Sequence, residues 1–246
     1  MASLLLLHGF TGAPSSWAAV TAALAQDVDV LAPPLCGHGD PPTAPHVDTF
    51  DDEIERLLGL LPTGFVHVAG YSLGARLALG LTLRAPSRVS HLTLISGRAG
   101  LASEAERSER RDVDERVAQQ LERDGLEAFV RRWEDQALFA TQRELPASAR
   151  EAERARRLSH TAPGLARSLR ATGLGSMPDY GPELGRLQQP VEVLAGARDS
   201  AFCTLGEAIV SKLPRARFTR VAEAGHNLLL ERPTEVARAI ARGLSR

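Results

Sequence analysis

The stretch Phe65-Val66-His67-Val68-Ala69-Gly70-Tyr71-Ser72-Leu73-Gly74-Ala75-Arg76-Leu77-Ala78-Leu79-Gly80-Leu81-Thr82-Leu83-Arg84 decides how the rest of the chain is read. Its beginning, Phe65, Val66, Val68 and Ala69, is a short apolar run that ends in glycine, and Leu73 to Leu83 is mostly apolar and of helix length. Between them Gly70-Tyr71-Ser72-Leu73-Gly74 matches G-x-S-x-G. Strand, sharp turn and helix form the context in which this pentapeptide presents a nucleophilic serine. Such a turn forces Ser72 into a strained conformation. Glycine suits positions 70 and 74, because a Cβ at either would crowd the neighbouring strand or helix. The amide of Leu73 opens the helix and points at the same space as the hydroxyl. Taken alone, the pentapeptide is equally compatible with an idle serine in a buried turn, so the other strand ends carry the decision.

Working outward, 246 residues with 43% hydrophobic side chains and a net charge of −1 fit one large domain, or one domain with an insertion. That charge gives no support for nucleic-acid binding or for a membrane surface. Of the 29 basic residues only Lys212 is lysine and 28 are arginine, so an arginine by itself signals nothing here. Cys36 and Cys203 show no metal-ligand spacing and read as free thiols in a reducing compartment. Met1-Ala2-Ser3 before Leu4 to Leu7 has neither the basic flank of a signal peptide nor the length of a membrane span, and a cytoplasmic protein is expected.

Leu4 to Leu7 reads as a buried strand, followed by the glycine-bearing loop His8-Gly9-Phe10-Thr11-Gly12. Ser15 or Ser16 is expected to cap a helix through Trp17 to Leu24, and Val28 to Leu31 to form a second strand. Residues 33 to 47 read as loop. Thr49 or Asp51 caps a helix with Ile54, Leu57, Leu58 and Leu61 on one face. His91 to Ile95 is the strand after the serine unit. Apolar strands alternating with helices predict a parallel sheet covered on both faces. Residues 103 to 172 break the pattern with helices only. Val191 to Leu194, a helix over about 204 to 213, Phe218 to Val221 and a helix from Glu235 to Leu244 then resume it.

In an open parallel sheet, function collects beyond the carboxyl ends of the strands. Ser72, Asp199 and His226 each follow such an end, in the chain order of the α/β-hydrolases. His226 would accept the Ser72 proton, and Asp199 would hold the imidazole tautomer. The amides of Phe10 and Leu73 would form an oxyanion hole. His67 and His91 read as core groups, His38 as pocket wall, His8 as a brace for the oxyanion turn, and His46 and His160 as surface. Arg76 lies one helical turn past Ser72, in a helix otherwise apolar nearly all round. It is either half of an internal salt bridge or an anion-binding group at the pocket floor. The second reading is favoured, because a simple esterase needs no charge beside its nucleophile.

With these residues in place, the chain resembles the 2-succinyl-6-hydroxy-2,4-cyclohexadiene-1-carboxylate (SHCHC) synthases of menaquinone biosynthesis. The resemblance runs from Leu7-His8-Gly9-Phe10-Thr11-Gly12 through Gly70-Tyr71-Ser72-Leu73-Gly74-Ala75-Arg76 to Gly196-Ala197-Arg198-Asp199-Ser200 and Ala224-Gly225-His226-Asn227. Gly100-Leu101 with Glu109-Arg110, Phe129 to Trp133 with Leu138-Phe139, and Arg157-Leu158-Ser159 with Leu165 extend it through the helical insertion. Ala75 stands where glycine is commoner, and Ala137 where proline is frequent.

The resemblance implies an α/β-hydrolase fold with a mostly parallel sheet and helices on both faces; the sequence departs from it in beginning directly at the first parallel strand, so the usual leading β-hairpin is expected to be short or absent. Residues 1–100 and 174–246 would be the core, and 101–173 an all-helical cap. It assigns Arg76, Arg110 and Arg157 to substrate carboxylates, and Tyr71, Trp133 and Phe139 to packing on the substrate. From the residues alone Arg110 and Arg157 read as solvated helix surface. The implied reaction eliminates pyruvate from a small-molecule polycarboxylate, with Ser72 as base and no metal or organic cofactor. No nucleic-acid partner or membrane insertion is expected, and the chain would be a monomer or weak dimer. The rivals are a carboxylesterase or carbon–carbon hydrolase working through an acyl-serine, and a non-catalytic ligand receptor on the same fold.

Overall fold

Leu4, Leu5, Leu6 and Leu7 are all without exposed surface. Consecutive strand residues point to opposite faces, so such a run requires a sheet covered on both sides. A computed structural model describes residues 2–24, 28–39 and 46–244. In it the chain runs β1 (Ala2–Leu7), α1 (Ala18–Ala22), β2 (Val28–Leu31), α2 (Phe50–Gly59), β3 (Val66–Tyr71), α3 (Leu73–Arg84) and β4 (Val89–Ile95). Four helices follow, α4 (Glu104–Asp124), α5 (Leu126–Glu134), α6 (Ala147–Leu158) and α7 (Ala162–Thr172). The sheet then resumes with β5 (Val191–Gly196), α8 (Ser200–Val210), β6 (Ala216–Val221), α9 (Leu228–Glu231) and α10 (Pro233–Leu244). The six strands lie in the order β2-β1-β3-β4-β5-β6, and every pairing is parallel.

The two faces of β1 feed two cores. Leu5 and Leu7 pack with Ile54, Leu57 and Leu77 from α2 and α3, and Leu4 and Leu6 with Trp17, Val236 and Ile240. Each such leucine contributes on the order of 2 kcal/mol by leaving water. The helical segment between β4 and β5 has its own small core around Leu121, Phe129, Val130 and Leu165. It starts and finishes at one place, since the Tyr180 N–H donates to the Ala99 carbonyl at 2.8 Å.

Several local expectations change. Phe65 precedes β3 and is exposed, because the strand begins at Val66. Neither serine caps the first helix: a 3₁₀ turn over Pro14–Trp17 comes first, and Ser16 Oγ accepts the Ala13 N–H at 3.0 Å. The helix after β5 starts at Ser200, because Asp199 caps it by accepting the Phe202 N–H at 3.3 Å. Thr49 caps α2 as expected, accepting the Asp52 N–H at 3.1 Å. Of the loop read over 33 to 47, residues 40 to 45 lie outside the described residues. No helix among the described residues is long and apolar enough to cross a membrane.

Candidate active site

The turn between β3 and α3 puts Ser72 at φ 52°, ψ −107°, a conformation that costs a non-glycine residue roughly 1–3 kcal/mol. Its surroundings hold it there. The Ser72 N–H donates to the Ile95 carbonyl at 2.9 Å. A Cβ on Gly74 would lie 2.0 Å from the Leu7 carbonyl oxygen, and one on Gly70 2.2 Å from that of Gly74. The glycines therefore allow β1, β3 and α3 to approach closely enough to fix the turn.

Ser72 Oγ lies 3.1 Å from His226 Nε2, and His226 Nδ1 lies 2.8 Å from Asp199 Oδ2. Asp199 is nearly buried and can only accept, so it holds the proton on Nδ1 and leaves Nε2 free to receive the serine proton. The histidine loop is fixed from both sides. Ser96 Oγ donates to the His226 carbonyl at 2.8 Å, and the buried Glu231 carboxylate accepts the N–H groups of Gly225 (2.7 Å) and Asn227 (3.2 Å). The Phe202 ring sits 4.4 Å from the His226 ring, edge-on. Motif reading missed Ser96, Glu231 and Phe202. Only their closeness in sequence to the strand ends could have pointed to them.

Phe10 and Leu73 both border the same cavity as Ser72 and His226, a space of about 560 Å³. Leu73 is the first residue of α3, where amides lack intrahelical partners. Phe10 belongs to a turn closed by the Gly12 N–H donating to the Gly9 carbonyl at 3.0 Å. Three histidines brace that turn. His38 Nε2 accepts the Thr11 N–H at 3.0 Å, His8 Nδ1 donates to the Gly9 carbonyl at 2.8 Å, and His160 Nε2 donates to the Thr11 carbonyl at 3.2 Å. His160 is therefore buried, not at the surface as its sequence context suggests: the helical segment presses it against His38, with ring centroids 5.2 Å apart.

Burial pushes the pKa of all three histidines down, that of His8 to about 4. His38 is lowered further by His8 beside it. The unfolded chain takes up protons first, near pH 6.5, so the stability held in the neutral rings is complete above that pH. It falls away as acid approaches the folded-state values. For His8 the gap from 6.5 to about 4 corresponds to about 3 kcal/mol. Urea unfolding at pH 7 and pH 4.5 should show this loss, and a His8→Gln variant should show a smaller one. Equal stability at both pH values would contradict a neutral, buried brace.

The structure brings Arg76, Arg110, Tyr71, Trp133 and Phe139 to the Ser72 cavity, but not Arg157. Arg76 is half-buried, its remaining surface facing the cavity, and donates to the Thr172 carbonyl at 3.1 Å. Among the described residues no carboxylate lies within ion-pair distance of it. Burial, and then the neighbouring Arg110, push its pKa down to about 9. Arg110 Nε pairs with Asp114 Oδ1 at 2.9 Å. Trp133 stands between Phe10 (5.2 Å) and Phe139 (5.6 Å), and Phe139 reaches to 6.2 Å from the His226 ring. Arg157 lies behind this aromatic wall, 5.5 Å from the Phe139 ring centre, bound to Glu134 at 3.0 Å and Glu153 at 3.4 Å. Arg98 and Arg132 also border the cavity. Arg98 lies three residues past the end of β4, where the rule that found Ser72 could have found it. Among the described residues no group of three or more His, Cys, Asp or Glu side chains could hold a metal ion.

A doubly wound parallel sheet with serine, aspartate and histidine beyond β3, β5 and β6 defines an α/β hydrolase, and the family model for the alpha/beta hydrolase fold matches residues 2–233. The chain is 33% identical over 242 residues to the 2-succinyl-6-hydroxy-2,4-cyclohexadiene-1-carboxylate synthase of Salmonella agona (strain SL483), covering 97% of this chain and 92% of that one. To a Bacillus subtilis (strain 168) protein provisionally given the same name it is 34% identical over 236 residues, covering 94% and 86%. The structure of MenH from S. aureus matches with a TM-score of 0.93 at 30% identity, covering 99% of this chain and 93% of that one. The chain belongs to the α/β-hydrolase fold family and, within it, to the SHCHC synthases.

Proposed function

We propose that the chain eliminates pyruvate from 2-succinyl-5-enolpyruvyl-6-hydroxy-3-cyclohexene-1-carboxylate to give SHCHC, a step of menaquinone biosynthesis. The observation that carries this reading is Arg76: a guanidinium one helical turn from Ser72, in the same cavity, with no carboxylate within ion-pair distance among the described residues. Such a group lowers affinity for a neutral ester and raises it for a polyanion. Arg110, partly balanced by Asp114, supplies a second cationic contact. Tyr71, Trp133 and Phe139 give the ring an apolar wall. Arg157, paired behind that wall, would support the position of Phe139 in this arrangement.

In this mechanism Ser72 Oγ takes a proton from a ring carbon while its own proton passes to His226 Nε2, and Asp199 stabilises the resulting imidazolium. The electron pair left on C2 forms the C2–C3 double bond, the pair of the existing C3–C4 double bond shifts to C4–C5, and the bond from C5 to the enolpyruvyl oxygen breaks. Pyruvate enolate leaves and is protonated on carbon. The amides of Phe10 and Leu73, with the arginines, face the negative charge that builds on oxygen. Proton transfer and carbon–oxygen cleavage require neither a metal nor an organic cofactor. The reading treats residues 1–100 and 174–246 as the core and 101–173 as a cap over the site. It places the chain in the cytoplasm as a monomer or weak dimer without nucleic-acid partners, in keeping with two free buried cysteines.

The test is pyruvate release from the enolpyruvyl precursor, run beside hydrolysis of a neutral p-nitrophenyl ester. Rapid pyruvate release with slow ester cleavage is expected. Brisk ester hydrolysis with no pyruvate would replace the eliminase by an esterase.

A further inference from the structure

The charges around the cavity do not balance. Arg76, Arg98, Arg110 and Arg132 border it, and Asp114 is the carboxylate among the lining residues. Arg110 is bound to Asp114 at 2.9 Å, and Arg132 to Asp124 at 3.1 Å. Arg76 and Arg98 have no carboxylate within ion-pair distance among the described residues. Arg98 is held only loosely: its Nε and one terminal nitrogen donate to the single carbonyl of Gly100 at 3.4 and 3.3 Å, near the limit of such bonds.

We infer that Arg98 binds a carboxylate of the substrate, acting beside Arg76 and Arg110 in the Ser72 cavity. This rests on the pyruvate-eliminating reading, whose substrate carries three carboxylates. Arg157 is paired with Glu134 and Glu153 and borders a neighbouring space that shares the walls Phe10, Tyr71, Trp133 and Phe139, not the Ser72 cavity itself. Arg98 is anchored three residues past the end of β4, the strand beside β3, whose end carries Ser72. Its position is therefore set by the sheet and not by the helical segment. Partial burial and the like charge of Arg110 disfavour its protonated form, Glu106 offsets them in part, and the charge of an incoming carboxylate offsets them further. The three arginines approach from different elements: Arg76 from α3, Arg98 from the end of β4 and Arg110 from α4. A polycarboxylate can place one carboxylate on Arg76 and another on Arg98, while Arg110, paired with Asp114, adds a partly balanced contact.

The test compares wild type, Arg98→Ala and Arg98→Lys in steady-state pyruvate release, with melting temperatures as a folding control. In Arg98→Ala the KM for the enolpyruvyl precursor should rise by about tenfold to a hundredfold, the range lost with a charged hydrogen-bonded partner, while kcat stays within about threefold. Arg98→Lys should recover part of the loss. Titration with tricarballylate, a three-carboxylate probe that undergoes no reaction, should show weaker binding to Arg98→Ala than to wild type by a similar factor. Unchanged KM and unchanged tricarballylate affinity in a folded Arg98→Ala protein would overturn the assignment. So would a fall in kcat at constant KM. If wild type releases no pyruvate, it is the functional reading that fails. Arg98 as an anion site then stands or falls on the tricarballylate titration.

Discussion

Replacing Ser72 by alanine should reduce pyruvate release on the order of 10³-fold, the typical contribution of a positioned base, with KM changed little. The hydroxyl is the group 3.1 Å from His226 Nε2, and its removal leaves the imidazole without an intermediary to the substrate. Fold stability should not suffer, because alanine retains a Cβ and the φ of 52° is imposed by the glycine-mediated approach of β1, β3 and α3. Single-turnover kinetics give a further check. An eliminase should show no burst of covalently trapped product, whereas an acyl-enzyme mechanism would. Pyruvate release retained in Ser72→Ala would mean that His226 takes the carbon-bound proton directly.

Arg76→Met should lower kcat/KM for the enolpyruvyl precursor by about 10²- to 10³-fold, as expected when one partner of an enclosed charge pair is removed. Cleavage of a neutral p-nitrophenyl ester should be largely unaffected, since Ser72, His226 and Asp199 remain in place. The free protein should become more stable, by roughly 1 kcal/mol. In the absence of substrate, Arg76 is a partly desolvated cation near Arg110, offset in part by Asp114, with the Thr172 carbonyl as its hydrogen-bond acceptor. Methionine fills similar volume without that cost, although the carbonyl loses its donor. Loss of activity combined with a raised melting temperature would identify Arg76 as a binding group maintained at the expense of stability. Lower stability with activity intact would make it a structural residue.

The sheet and the serine, aspartate and histidine were readable in the sequence because each rests on a short-range pattern: an apolar run, then a turn residue at the strand's carboxyl end. Parallel strands buried on both faces leave that pattern nearly uninterrupted, as in Leu4 to Leu7. What lay beyond reach depends on how the helical segment docks. His160 reads as surface because its neighbours Ser159 and Thr161 are polar. It is buried because the end of α6 comes to rest on the Phe10–Gly12 turn. Arg110 and Arg157 look alike in sequence, yet one lines the Ser72 cavity and the other is paired behind Phe139. Arg98 was hidden for a different reason: with 28 arginines in the chain, one more past a strand end attracts no notice.

The hydrogen bond from the Tyr180 N–H to the Ala99 carbonyl bears on how such a protein can acquire a new substrate. The helical segment leaves the sheet and returns to it at a single junction, with Leu101, Leu174 and Met177 at its ends already packed on the sheet's core. A replacement segment of any length could be grafted there without shifting the register of a strand. The proton-transfer residues would keep their geometry through such an exchange, while most of the walls that select the substrate changed. Arg76 and Arg98 belong to the socket and not to the graft. A transplanted segment would inherit a cavity already biased towards anions, and descendants assembled this way would differ in the shape of acid they accept before they differed in accepting acids.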